Sequence, residues 1–138
     1  QIGNDRAAAI KTYEQVLTKT PDNFVVLNNL AYLAFEDKNL TRAEELAKKA
    51  VSLQRENADA VDTLAQIYVA KGDKAAALKL YEEVSARPIA NDDVYLNHVS
   101  VLLELDKKAL ASRKLASREF KSEAAKQRAE SLKQQYGL

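Results

Sequence analysis

Apolar side chains recur along most of the chain at the spacing of a helix face. From Leu27 to Ala34, and again from Ala43 to Val51, the apolar positions lie three or four residues apart. This spacing places them along one side of an α-helix. Short polar breaks interrupt the pattern, as at 37–39 and 71–73. The pattern predicts eight helices, over 5–19, 23–36, 40–53, 58–70, 74–86, 91–105, 107–119 and 122–136.

The helices belong to an internal repeat. A shift of 34 residues aligns Ala9, Ala43, Ala77 and Ala111, and it also brings Leu64 onto Leu30. A repeat of this period is typical of stacked helical hairpins. Small residues at fixed columns allow the two helices of a hairpin to approach closely. We therefore expect an all-α fold of repeated hairpins, with Ala43 and Ala77 at the close contacts.

Composition supports the helical prediction and excludes some chemistry. Only three Gly and two Pro interrupt 138 residues, and no segment alternates as a strand would. There is no Cys, so disulfides and thiolate metal sites are excluded. A net charge of +1 predicts no obligatory nucleic-acid partner. No stretch is long and apolar enough for a transmembrane helix.

Catalytic residues are scarce. The chain has a single His and lacks a glycine-rich phosphate loop or metal-ligand spacing, which predicts no enzyme, no cofactor and no metal. His98 falls in the column of Leu30 and Leu64, so we expect it to be packed in a hairpin interface. Neighbouring carboxylates such as Glu82 and Glu83 point away from each other on a helix, which argues against acid–base chemistry.

The repeat columns resemble the tetratricopeptide repeat (TPR). The match is best over 57–84, NADAVDTLAQIYVAKGDKAAALKLYEEV, with Leu-Ala in the first helix, Gly-Asp at the turn and Ala then Tyr in the second. The resemblance implies one α-solenoid domain over 1–138, with about three full repeats, a preceding helix and a C-terminal capping helix. It divides the chain into a partial repeat at 4–22, repeats at 23–56 and 57–90, a divergent repeat at 91–120 and a capping helix at 121–138.

A finer resemblance concerns the order of the units. LNNLAYLAFE, AEELAKKAVSL and a basic closing segment are similar to the C-terminal repeats of bacterial lipoproteins linked to exopolysaccharide and PEP-CTERM sorting systems. This resemblance implies a scaffold in the periplasm or cell envelope. Without it, the sequence is equally compatible with a location in the cytoplasm. Because the chain begins at Gln1 without a Met, we expect it to be part of a longer protein.

The resemblance also implies a binding site, since first helices of stacked hairpins line a concave groove. Acidic residues outnumber basic ones there, and the Lys and Arg that grip a chaperone tail's carboxylate in some TPR domains are missing. The predicted function is a protein-interaction scaffold whose groove binds a neutral or basic extended segment. The predicted groove residues are Asn28, Asn29, Tyr32, Phe35, Asp59, Asp62, Thr63, Gln66, Asp93, Asn97 and Ser100.

Other roles remain open from the sequence. The basic segment from Lys107 to Lys133 is interpreted as part of a polar cap, with contact to anionic lipid or nucleic acid as its alternative. An apolar face on the first helix, through Ala9, Ile10, Tyr13 and Val16, is expected to be exposed and could form a homodimer. A structural spacer in a longer repeat array is a further alternative.

Overall fold

The computed structural model describes the backbone of residues 2–138 and the side chains of residues 5–138. In this part of the chain the secondary structure is helical, as the pattern predicts. The helices are α1 (Ile2–Lys19), α2 (Phe24–Glu36), α3 (Leu40–Leu53), α4 (Ala58–Ala70), α5 (Lys74–Val84), α6 (Asp92–Glu104), α7 (Lys108–Ala116) and α8 (Glu123–Tyr136).

The first helix of each hairpin begins at an asparagine cap. Asn23, Asn57 and Asn91 lie 34 residues apart and precede α2, α4 and α6. Each side-chain Oδ1 accepts a hydrogen bond from the backbone N–H three residues later, at 3.1 Å, 3.1 Å and 3.3 Å. Such a bond satisfies one of the free N–H groups at a helix start. The repeat therefore extends to the caps that set where the groove helices begin.

The turn inside each hairpin has a left-handed residue at the same repeat position. The φ angles are 63° at Lys38, 88° at Gly72 and 61° at Asp106. Only glycine adopts this region without steric cost. The hairpins α2–α3 and α6–α7 thus use the backbone geometry of the Gly72 turn with residues that fit it less well.

The second helices differ in how they are capped. Asn39 and Asp73 accept hydrogen bonds from the N–H groups of Arg42 and Ala76, at 3.3 Å and 3.1 Å. Lys107, at the equivalent position before α7, makes no side-chain cap. Asn39 is therefore the cap of α3.

The hairpins close on their alanines. Ala31 and Ala43 are completely buried in one core cluster, and Ala65 and Ala77 are completely buried in a second. Helix α2 packs on α3, α4 on α5 and α6 on α7, and α3 joins the first hairpin to α4. The first helices therefore lie side by side and form one face of the stack.

One expectation about α1 is wrong. Ile10, Tyr13 and Val16 are half-buried and pack against the core of the first hairpin, instead of forming an exposed face. Arg6 ties the same helix to α2 by donating to the Leu33 carbonyl oxygen at 2.8 Å. The following hairpin covers part of each of these side chains, and homodimerisation through this face stays a prediction.

Two second helices are shorter than the pattern predicts. Helix α5 ends at Val84, ahead of Pro88, and α7 ends at Ala116 rather than at 119. After α7 the chain leaves the helix, and Phe120 lies in the core, only 7% exposed. Arg118 fastens this segment by donating to the carbonyl oxygen of Ile89 at 2.6 Å.

Helix α8 closes the stack by packing on α6 and α7. Ala125 and Ala129 are buried, and Leu132 and Tyr136 are half-buried against the same core as Leu115, as expected for a cap. Its other side carries solvated charges such as Lys133, which pairs with Glu130. Within residues 2–138, every helix is too short or too polar to span a bilayer.

Candidate functional site

A depression of about 440 Å³ lies where α2, α4 and α6 face α1. It brings together seven of the eleven predicted groove residues from three different first helices. These are Asn28, Asn29 and Tyr32 from α2, Asp59, Asp62 and Thr63 from α4, and Asp93 from α6; Ala9, Tyr13, Leu33, Asn91 and Val94 complete the lining. We call this depression the acidic groove.

Three carboxylates give the groove its charge. Asp62 is half-buried and accepts hydrogen bonds from Tyr81 Oη at 2.6 Å and from Asn97 Nδ2 at 3.0 Å. Burial raises the pKa of Asp62, while these two bonds oppose the rise. Asp59 and Asp93 are exposed and form no ion pair with any described residue. The groove therefore has two carboxylates that a ligand could reach.

These carboxylates do not constitute a metal site. Within the described residues no group of three or more acidic or imidazole side chains is arranged to hold a metal ion. The donors around Asp62 are a phenol and an amide rather than further ligands. The arrangement suits recognition of hydrogen-bond donors and positive charge.

Other acidic residues of the first helices are already neutralised. Arg6 pairs with Glu36 at 3.1 Å and with Asp37 at 2.9 Å. Lys74 lies 3.6 Å from Glu104. The acidic character expected along the whole concave face is therefore concentrated around Asp59 and its neighbours.

Aromatic contact in the groove comes from Tyr32. Its side chain is among the large apolar groups most open to solvent, at 51% exposed, and the neighbouring Glu36 carboxylate raises the pKa of its phenol. Three other apolar residues of the first helices are less accessible. Leu96 is completely buried, and Phe35 and Val69 are half-buried against the hairpin cores.

The polar side chains of Asn29, Thr63 and Asn97 form a row at equivalent positions of α2, α4 and α6, and each is hydrogen-bonded within the chain. Asn29 Nδ2 donates to Tyr13 Oη at 3.4 Å, and Thr63 Oγ1 donates to the Asp59 carbonyl oxygen at 3.1 Å. The side-chain amide of Asn97 donates a hydrogen bond to Asp62. The atoms that these side chains leave available to a ligand are mainly oxygen atoms that accept hydrogen bonds.

The remaining predicted residues lie outside the depression and are held by neighbours. Gln66 Nε2 donates to Tyr81 Oη at 2.7 Å. Ser100 lies 3.4 Å from the guanidinium of Arg128 in α8. Phe35, as described, belongs to the core of the first hairpin.

Arg128 is a residue of the concave face, outside the acidic groove, that sequence reasoning missed. It donates from Nη2 to Asn97 Oδ1 at 2.7 Å, so a cation from the capping helix reaches the concave face. The signal was present in the caps, since Arg128 follows the α8 cap Ser122 by six residues and Asn97 follows Asn91 by six. Sequence reasoning interpreted the basic residues of α8 as part of a polar cap, with contact to anionic lipid or nucleic acid as the alternative, and did not place Arg128 on the concave face.

His98 is a packed residue, as its column predicts. It is 5% exposed and stacks on Tyr81 with ring centroids 5.1 Å apart. Its Nδ1 lies 3.4 Å from Ser85 Oγ, and its Nε2 is buried without a partner in the described part of the chain. Burial, with a smaller contribution from Lys114, lowers the pKa of His98 to about 4. At neutral pH the ring is therefore uncharged.

Family comparisons agree with this architecture. One tetratricopeptide-repeat model matches residues 3–61, and a second matches residues 34–93. Together they span about two thirds of the chain. The chain belongs to the tetratricopeptide-repeat family. No curated protein matches this TPR chain.

Solved structures share the fold at low sequence identity. A TPR protein from Parabacteroides merdae ATCC 43184 gives a TM-score of 0.78 at 18% identity, over 98% of this chain and 55% of that one. MamA gives 0.71 at 23% identity, over 83% and 67%. YrrB, a TPR protein described as having an unusual peptide-binding site, gives 0.68 at 23% identity, over 76% and 54%.

The TPR chain thus spans about half to two thirds of the length of these structures. At such identities they show the fold alone. Membership of the family supports the general role of a protein-interaction scaffold. The finer resemblance to PEP-CTERM-linked lipoproteins, and the envelope location that it implies, stay predictions.

Proposed function

We propose that the acidic groove binds an extended, neutral or basic segment of a partner protein, and that this TPR chain acts by binding rather than by catalysis. The observation that supports the proposal most directly is the pair of exposed carboxylates, Asp59 and Asp93, on neighbouring first helices. Among residues 5–138, no basic side chain lines the depression beside them. A ligand with positive charge would supply the missing partner.

The groove also suits an extended backbone. Asn29 and Thr63 keep accepting oxygen atoms at equivalent places on adjacent helices, and such atoms accept from peptide N–H groups. Tyr32 adds exposed aromatic surface beside them. The energy available from exposed charges is modest, so we expect weak binding that weakens further as salt rises.

The test is selection from a random peptide library on the folded chain, followed by titration of the enriched peptides. We expect enrichment of basic and neutral sequences. Replacing Asp59 and Asp93 together by Asn should weaken binding roughly three- to tenfold. Replacing Glu82 and Glu83 by Gln provides the matched control, because both are exposed on α5 and outside the groove.

Two results would contradict the proposal. Enrichment of uniformly acidic segments would assign the wrong charge to the ligand, and affinity unchanged in the Asp59/Asp93 variant would place binding elsewhere. If no peptide binds but sedimentation shows concentration-dependent dimers, self-association becomes the better description. If neither occurs, the spacer role is favoured.

A further inference from the structure

The row of polar side chains on the concave face continues onto the capping helix. Asn29, Thr63 and Asn97 each lie six residues after the cap of their helix, and Arg128 lies six residues after Ser122, the cap of α8. Helix α8 packs on α6 much as α6 packs on α4. The fourth member of the row is therefore a guanidinium instead of an amide or a hydroxyl.

Arg128 reaches the concave face, and none of the described carboxylates pairs with it. Its Nη2 bonds to the neutral side chains of Asn97 and Ser100, at 2.7 Å and 3.4 Å, and it forms no ion pair with any described residue. A guanidinium carries five N–H donors in a planar fork. Within residues 5–138 only one nitrogen of Arg128 is engaged, which leaves donors for an acceptor outside the chain.

The hydrogen bond from Arg128 also fixes the orientation of the Asn97 side-chain amide. Because Asn97 Oδ1 accepts from Arg128, its Nδ2 points to Asp62, at 3.0 Å. Asn97 thus separates the cation of α8 from the half-buried carboxylate of α4. The concave face is therefore negative around Asp59 and positive at Arg128.

We propose that this face selects its ligand by the order of charges. It binds an extended segment that has a basic side chain near Asp59 and an acidic side chain near Arg128. The inference rests on the proposed function of the groove and specifies its ligand. A uniformly basic segment would bring a like charge to Arg128, which opposes binding. A segment with both charges in the correct order places an opposite charge beside both Asp59 and Arg128.

The fold sets the spacing of the two charges. Helices α4 and α8 are two steps apart in the stack, and packed helices lie roughly 8–10 Å apart. An extended chain covers about 3.3 Å per residue. The acidic and basic residues of the ligand should therefore be roughly five or six residues apart.

The probe is a pair of fluorescent dodecapeptides of identical composition with blocked termini. One carries two Lys followed, six residues later, by two Asp; the other carries the same residues in reverse order. Fluorescence anisotropy at low salt measures both affinities. We expect one order to bind about fivefold more tightly than the other, the effect of two exposed charge pairs.

A charge exchange tests the assignment of the two ends. The double variant Asp59→Lys with Arg128→Glu keeps the net charge of the chain and should reverse the preferred order. Glu82→Lys with Arg113→Glu is the matched control, because both residues are exposed and lie outside the acidic groove. The milder Arg128→Gln should abolish the preference if the double variant fails to fold, which circular dichroism would show.

The outcomes separate the two proposals. Equal affinity for both peptides, or a preference that survives the exchange, overturns the reading of charge order while leaving peptide binding intact. Failure of both peptides to bind at millimolar concentration contradicts the groove as a peptide site, and the charge-order inference with it. Reversal by the exchange, but not by the control, supports the inference.

Discussion

Replacing His98 by leucine should remove an acid-sensitive part of the protein's stability. His98 occupies the column of Leu30 and Leu64, which are 3% and 4% exposed, so leucine suits the site. The imidazole is buried against Tyr81 with Nε2 unpartnered in the described residues. The environment therefore favours the neutral ring over the charged one.

The sign follows from the direction of the pKa shift. Burial lowers the pKa of His98 from 6.5 to about 4 in the folded state. As the pH falls below 6.5, the unfolded chain takes up a proton that the folded chain refuses, and stability is lost until the folded pKa is reached. Each pKa unit corresponds to about 1.4 kcal/mol. Between pH 7 and pH 5 the loss should be about 2 kcal/mol.

This pH window limits interference from the carboxylates. Hydrogen bonds from Lys48 and Lys71 lower the pKa of Glu44, and Arg118 lowers the pKa of Asp92, so their contributions are lost only at more acidic pH. Asp62 acts in the opposite sense, because its raised pKa favours folding as the pH falls. The wild-type protein and His98→Leu share these carboxylates, so their contributions cancel when the two pH profiles are compared.

The assay is urea unfolding followed by circular dichroism at pH 7, 6 and 5. The free energy of unfolding comes from linear extrapolation. We expect the wild-type protein to lose about 2 kcal/mol more than His98→Leu over this range. His98→Gln, which cannot titrate, should resemble the leucine variant. Parallel pH profiles, or an NMR titration of His98 near its ordinary pKa, would refute the reasoning.

Three further predictions concern packing and turns. Ala77→Phe should overpack a hairpin and cost about 1–3 kcal/mol in urea unfolding, while Ala75→Phe, on an exposed site, should cost less than half as much. Lys38→Gly should raise the melting temperature, with a gain of about 1 kcal/mol from the left-handed φ; unchanged stability would show that lysine tolerates the turn. Lys107→Asp should add about 1 kcal/mol by capping α7, measured the same way, and a loss would contradict the missing-cap interpretation.

Several features of the TPR fold could be read from local patterns in the chain. Apolar spacing predicted the helices, and the 34-residue shift of Ala43 and Ala77 predicted the close contacts inside the hairpins. These features depend on residues close in sequence, so periodicity and turn chemistry are sufficient. The position of His98 followed from the same repeat. The limits of the repeats themselves stay a prediction.

Tertiary structure decided which charges of the groove are free. Arg6 neutralises Glu36 and Asp37 from another helix, while Asp59 stays unpaired among the described residues, and nothing in the local pattern distinguishes these carboxylates. It also determined that Leu96 is buried although its helix faces the groove. Contacts between helices distant in sequence control both outcomes.

For the capping helix, too, the sequence pattern predicted one feature and the tertiary structure decided another. The amphipathic stripe through Ala125 and Ala129 was enough to predict that α8 covers the end of the core. Only the packed structure brings Arg128 to Asn97, because the angle at which α8 meets α6 decides which polar side chain reaches the concave face. A sequence pattern determines which face of a helix is buried; the neighbouring helices determine what its other faces meet.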